Sequence, residues 1–187
     1  MASTIYLIRH GIPENHLAIL GQSDPRLTTE GHEQARSLAA TLGGQGIERV
    51  LSSGLQRAQQ TAEILANRLG VELQQDARLN EITYGSWDGL LWDQIEKQAP
   101  ETAKQKLENW WEVTPKGGED FKDFYQRVRG VWIDLRTEAR TTALVAHVGV
   151  NSVLAELARN RNPNQGPDWN FIRSFNQEYA SCMRLSL

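Results

Sequence analysis

A chain of 187 residues, 40% apolar and 23% charged, can bury the core of one ordinary domain and carries no disorder signature. Its formal charge of −3 argues against a nucleic-acid binder, and its one cysteine, Cys182, leaves no intrachain disulfide and argues against a thiolate metal cage. Met1 leads straight into a strand-like segment and no apolar run approaches membrane-spanning length, so a soluble, cytoplasmic protein with no membrane partner is expected.

The apolar run Ile5-Tyr6-Leu7-Ile8 predicts a strand from Thr4 to Arg9. It stops on Arg9-His10-Gly11, which places a cation and an imidazole at a sheet edge, before a residue that lets a ligand come close. Thr28-Thr29-Glu30 reads as a helix start, and Gly31, Ala35, Leu38, Ala39 and Leu42 recur at helical spacing until Gly43-Gly44. Arg49 to Ser52 predicts a second strand. A helix follows, with Leu55, Ala58, Ala62, Leu65 and Leu69 on one face and Gly70 as its stop. Val71 to Gln75 is a third strand, and this alternation predicts a parallel sheet flanked by helices.

Leu90 to Trp111 reads as helical, broken at Pro100, and is expected to cover the sheet edge above a pocket. Phe121, Phe124, Tyr125, Val128, Val131, Trp132 and Leu135 mark a long amphipathic helix. A strand from Thr142 to Ala146 precedes a helix from Val150 to Arg159, and Asn160 to Trp169 reads as a loop. Tyr179 to Leu187 is expected to be a last strand, pairing antiparallel near the sheet edge. No repeat or linker divides the chain, so one domain over 1–187 is expected, with a helical cover around 90–118.

The run Ala143-Leu144-Val145-Ala146 ends on His147-Val148-Gly149, a second histidine followed by a glycine. Two such strand ends predict one pocket at the carboxyl edge of a parallel sheet, where open α/β folds bind ligands.

These motifs, taken with others between them, resemble the histidine phosphatase (phosphoglycerate mutase-like) superfamily over most of the chain. Arg9-His10-Gly11 is similar to the family's defining triplet. Asp24 to Gly31 with Gln34-Ala35, Ser52-Ser53-Gly54-Leu55-Gln56-Arg57-Ala58 with Gln60-Thr61-Ala62, Leu79-Asn80-Glu81 with Gly85, Trp87 and Gly89, and Gly117-Gly118-Glu119 follow in the family's order. The resemblance implies a three-layer α/β sandwich and phosphoryl transfer through a histidine. The chain departs from it at Ile12, where a polar residue is frequent, at Leu20, where a polar phosphate contact is frequent, and at Val148, where glycine is frequent. The Asn common after the first histidine falls at either Asn15 or His16.

The chemistry assigns the parts. His10 is expected to be the nucleophile, since a neutral imidazole can attack phosphorus and a bond to its other nitrogen would set the tautomer. Arg9 and Arg57 offer planar forks to phosphate, and His147, charged once phosphate is bound, adds a donor. The backbone N–H of Val148 at a helix start, Asn15 and Gly21 are further expected phosphate or substrate contacts. Glu81 is the expected acid for the leaving alkoxide, its pKa raised by apolar walls from Tyr84 and Trp87, with Asp88 and Asp24 next in order. Trp87 is the tryptophan expected to reach substrate. His32 reads as a plain surface residue.

The scheme needs no cofactor or metal. A zinc site on His10 and His147 is disfavoured by their spacing and by the two arginines beside them, and Ser52-Ser53 lack a nucleophile elbow. The expected enzyme is thus a histidine acid-type phosphatase, a phosphoric monoester hydrolase acting on a small-molecule phosphate monoester. The alternatives are a cofactor-dependent phosphoglycerate mutase, a phosphohistidine protein phosphatase and a non-catalytic phosphate binder. Between 90 and 111 the chain has Lys97, Lys104 and Lys106 and no arginine, and this weakly basic cover favours water as acceptor over a mutase. Substrate and oligomeric state are open at this point.

Overall fold

The computed structural model describes residues 4–160 and 166–186. Five strands form one sheet: β1 (Thr4–Arg9), β2 (Arg49–Ser52), β3 (Glu72–Gln75), β4 (Thr142–Ala146) and β5 (Cys182–Ser186), in the order β3-β2-β4-β1-β5. β1 pairs parallel with β4, β4 with β2 and β2 with β3, while β5 runs antiparallel along β1, with Ile5 opposite Leu185.

The sheet sorts its side chains by the two-residue period of a strand. Ile5, Leu7, Leu51, Leu144 and Ala146 point to one face and pack against α5 (Phe121–Glu138), α6 (Val148–Arg159) and α7 (Trp169–Ser174). Tyr6, Ile8, Val50, Ala143 and Val145 point to the other, against α1 (Thr29–Thr41) and α2 (Gln56–Leu69). The protein is therefore a three-layer α/β sandwich with a mostly parallel sheet, as its motifs imply. β1, β2 and β4 are buried because helices cover both faces.

The glycine of the first triplet has a packing reason. A Cβ on Gly11 would sit 2.5 Å from the Gly31 carbonyl, and one on Gly31 would sit 2.3 Å from that of Ile12. The first turn of α1 thus lies directly against the segment after β1. Thr28 caps α1 by accepting from Gly31 N and donating to Ile12 O, so the cap and the close approach hold each other.

The cover consists of α3 (Trp92–Gln98) and α4 (Pro100–Glu108), divided where Pro100 opens the second helix. Trp87, Ile95 and Ala103 form its small core, and Trp87 meets Trp92 edge-on. The tryptophan expected to touch substrate is thus buried in the cover. α6 begins two residues earlier than the sequence pattern suggests. α7 lies beyond the expected loop and is capped by Asp168, which accepts from Phe171 N. Residues 161–165 of that loop and Leu187 of the expected last strand lie outside the described residues. Among the described residues, no helix is long and apolar enough to cross a membrane.

Candidate active site

β1, β4 and β2 are adjacent and parallel, so the residues after them share one edge: His10, His147 and Ser53. The two imidazoles are buried, with ring centroids 5.1 Å apart and planes at 59°. His10 Nδ1 lies 2.8 Å from the carbonyl of Gly11. A carbonyl only accepts, so Nδ1 carries the proton and Nε2 keeps a lone pair. Burial first, then the charges of Arg57 and Arg9, pull the His10 pKa down to about 3, which leaves the ring neutral.

The second ring is fixed by a chain of hydrogen bonds. Ser53 Oγ donates to Asn80 Oδ1 at 3.0 Å and accepts from Leu55 N at 3.2 Å. Its remaining lone pair therefore accepts from His147 Nε2, 2.8 Å away. The other nitrogen, Nδ1, is then unprotonated, and it has no hydrogen-bond partner. Burial first, then the charges of Arg57 and Arg9, hold this ring well below the usual histidine range.

Two guanidinium groups face the histidines. Arg9 donates from Nη1 to the Gln177 carbonyl at 2.7 Å, and its guanidinium carbon lies 3.7 Å above the ring of Tyr179. Arg57, 1% exposed, donates to the carbonyls of Ser23 at 2.8 Å and Gly21 at 3.0 Å. Neither forms an ion pair among the described residues, and each has a buried Nε without a partner. Paired with carbonyls rather than carboxylates, both retain positive charge toward an anion.

Glu81 is buried beside them. Its Oε1 accepts from Ile82 N and its Oε2 from Gly149 N, both at 3.0 Å. Burial is the largest influence on it and raises its pKa, against those two bonds and the charges of Arg57 and Arg127. A Cβ at Gly149 would stand 2.3 Å from Glu81 Oε1, so the glycine of the second motif makes room for the carboxyl. Arg127 on α5 pins the segment that carries it. Its fork grips both oxygens of Glu119, at 2.7 and 2.9 Å, and donates to the carbonyls of Arg78, Asn80 and Glu81. Glu119 in turn accepts from Thr83 N. That is the work of Gly117-Gly118-Glu119.

These groups enclose a cavity of about 190 Å³ lined by Arg9, His10, Arg57, Glu81, His147 and Val148, with His16, Ala18, Ile19, Leu20, Tyr84 and Tyr179. Asn15 is not in this lining; it is exposed, with φ of 55°, and His16 takes the place by the cavity. Gly21 is also displaced from the expected contact. Its N–H is engaged by Asp88 Oδ1 at 3.0 Å, and it acts instead through the carbonyl that holds Arg57. Asp88 also accepts from Gln22 and Ser23, and Asp24 accepts from Gln56 N at the start of α2, so both are committed to the backbone. Tyr179, Ser53 and Arg127 were not assigned from the sequence. Ser53 lies inside the Ser52–Ala58 motif, which is its signal; Tyr179 has no local pattern and arrives with β5. Among the described residues no cluster of three or more His, Cys, Asp or Glu side chains could hold a metal ion.

Comparison with known proteins identifies the family. The chain is 36% identical over 127 residues, 67% of its length, to the "Probable phosphoglycerate mutase GpmB" of Serratia proteamaculans, covering 59% of that protein. It is 31% identical over 154 residues, 80% of its length and 76% of the relative's, to the adenosylcobalamin/alpha-ribazole phosphatase of Escherichia coli. A mycobacterial glucosyl-3-phosphoglycerate phosphatase solved with VO3 superposes at a TM-score of 0.85 with 29% identity, over 98% of this chain and 90% of that one. The chain spans from 43% to 59% of the length of the first curated relatives it matches. The model of the histidine phosphatase superfamily, branch 1, matches residues 5–186, and the chain belongs to that family.

Proposed function

We propose that the protein hydrolyses the phosphate monoester of a small metabolite by way of a phosphohistidine on His10. The observation that carries this is the tautomer: Nδ1–H is held by Gly11 O, and the lone pair of Nε2 is left free beside two guanidinium groups. Nε2 attacks phosphorus, the bond to the ester oxygen breaks, and Glu81 gives its proton to that oxygen. Arg9, Arg57 and His147 balance charge on the other oxygens, and His147 Nδ1 takes up a proton as the dianion binds. Val148 N–H, at the first turn of α6, adds a donor. Water then gives a proton to the Glu81 carboxylate and attacks phosphorus, the P–N bond breaks, and phosphate and neutral His10 are released.

Water rather than a second substrate is the acceptor in this reading. Within 90–111 the chain has Lys97, Lys104 and Lys106 and no arginine, and Lys106 already donates to the Val113 carbonyl at 2.7 Å. That leaves few cations to hold a phosphoglycerate carboxylate. A buried acid beside the phosphate site favours an alkyl ester over phosphohistidine on a partner protein, whose imidazole needs less help to leave. The relatives act on different substrates by name, so a panel of phosphorylated metabolites, read as released inorganic phosphate, selects among them.

The test of the mechanism is the intermediate. Rapid quenching during turnover should trap acid-labile, base-stable phosphate on the protein, absent from His10→Ala, which should have no turnover. Full activity in His10→Ala would overturn the reading.

A further inference from the structure

The phosphate cavity, at about 190 Å³, has room for the phosphoryl group and the first few atoms of the alcohol attached to it. The direction in which the alcohol extends follows from Glu81, because the bridging oxygen must meet this acid. Glu81 is seated on Gly149 N, and Gly149 and Val148 line a second cavity of about 310 Å³. Val148 lines both cavities, so the second lies next to the first on the Glu81–Gly149 side.

That second cavity is walled by Trp92, Leu107, Trp110, Ile172 and Phe175, from the cover and α7. Most of its polar groups spend a donor inside the protein, while the Trp110 indole N–H is buried without a hydrogen-bond partner. Lys106 Nζ donates to Val113 O and stands 5.7 Å from the Trp110 ring centroid. Arg173 donates to the carbonyls of Leu107 and Glu108 at the end of α4. The Trp92 indole N–H donates to Glu96, and Ser152 Oγ donates to Gly149 O. A sugar would set most of its hydroxyls against these apolar walls, a desolvation cost that the open Trp110 N–H offsets only in part. A flat apolar ring meets the walls without that penalty.

We propose that this cavity is the leaving-group subsite and that it takes a ring-bearing alcohol. The proposal rests on the phosphatase reading above and narrows its substrate to phosphate esters with an aromatic or comparably apolar portion a few bonds from the ester oxygen.

The test compares 3-phenylpropyl phosphate with n-propyl phosphate, whose alcohols are nearly equal as leaving groups, so that only the ring differs. The full chain should show kcat/KM at least about tenfold higher for the ring-bearing ester, the scale on which an apolar pocket discriminates. 3-Phenylpropan-1-ol should inhibit competitively at concentrations where n-propanol does not. Leu107→Asp places a charge on the half-exposed wall of the cavity without touching the core, and should cut that preference to threefold or less. Equal kcat/KM for the two esters would overturn the subsite and leave the phosphatase reading standing. A ring preference that survives Leu107→Asp unchanged would remove it from this cavity. Release of no phosphate from either ester or from the metabolite panel would overturn the phosphatase reading, and the subsite with it.

Discussion

Both oxygens of Glu81 accept backbone N–H groups, yet the proposed acid role needs one of them to carry a proton. A protonated carboxyl can do both, since its hydroxyl oxygen accepts one bond while donating another. Glutamine cannot. Its amide nitrogen accepts nothing, so in Glu81→Gln either Ile82 N or Gly149 N is left buried without an acceptor. The variant should lose about 1–3 kcal/mol of stability for that reason alone. Its chemical defect should differ with the leaving group. Single-turnover phosphorylation of His10 by an alkyl ester should fall ~10²–10⁴-fold, and by p-nitrophenyl phosphate far less, because an aryl oxide leaves without a proton. The aryl ester therefore also reports whether the variant is folded. Equal losses for both esters would take Glu81 out of the acid role.

At the scale of elements, the acid is placed by a helix that never touches the cavity. Arg127 on α5 holds Glu119 and three successive parts of the 78–81 segment, and its charge lowers the Glu81 pKa that burial raises. Arg127→Met removes fork and charge together. Glu81 should then stay protonated to higher pH, moving the basic limb of the rate profile upward, while kcat on alkyl esters falls about tenfold with little change in KM. Arg127→Lys restores the charge without the fork, so the limb should return toward its parent position and kcat should not. An unmoved limb in Arg127→Met would mean the arginine only packs. Nothing in the sequence singles this residue out, because an arginine on a strongly amphipathic helix reads as solvated face. His10, Arg57 and His147 are legible for the opposite reason, each standing in a short motif beside an apolar strand or at a helix start, whereas Glu81, in a loop, is legible only through the family resemblance. Asn15 was misplaced because the His10–Gly21 loop has no periodicity from which to read direction, and α7 was missed because six residues are too few to show one.

For the molecule as a whole, the buried imidazoles make acid a threat to the fold. His10 has a pKa of about 3 when folded, against about 6.5 when unfolded, so between these values the unfolded chain binds the extra proton and stability falls as pH falls. Between pH 7 and 5 this one residue should remove about 2 kcal/mol. Glu81 works in the other sense: its raised pKa means the folded chain holds the proton longer, so its contribution is lost as pH rises through the folded value. The measurement is accordingly a difference. Urea unfolding at pH 7 and pH 5 should show a smaller loss in His10→Gln than in the parent, and an equal loss would show that the imidazole is solvated. The layered sandwich was readable from strand–helix alternation and from the two-residue period of the sheet. The contributions of Tyr179 and Gln177 were not, since their place beside Arg9 depends on long-range pairing and on no neighbour in sequence.

That pairing also orders events in time. β1 lies between β4 and β5, with Thr4 opposite Ser186 and Ile5 opposite Thr142. Although β1 leads the described chain, it therefore has no ladder partner until β4 is available, and Arg9 has no aromatic seat until the segment before β5 arrives. Such widely separated contacts close loops of most of the chain and form slowly. The proposed nucleophile, His10, therefore has its neighbouring arginine seated only once the sheet closes, so folding of the described chain completes the site last.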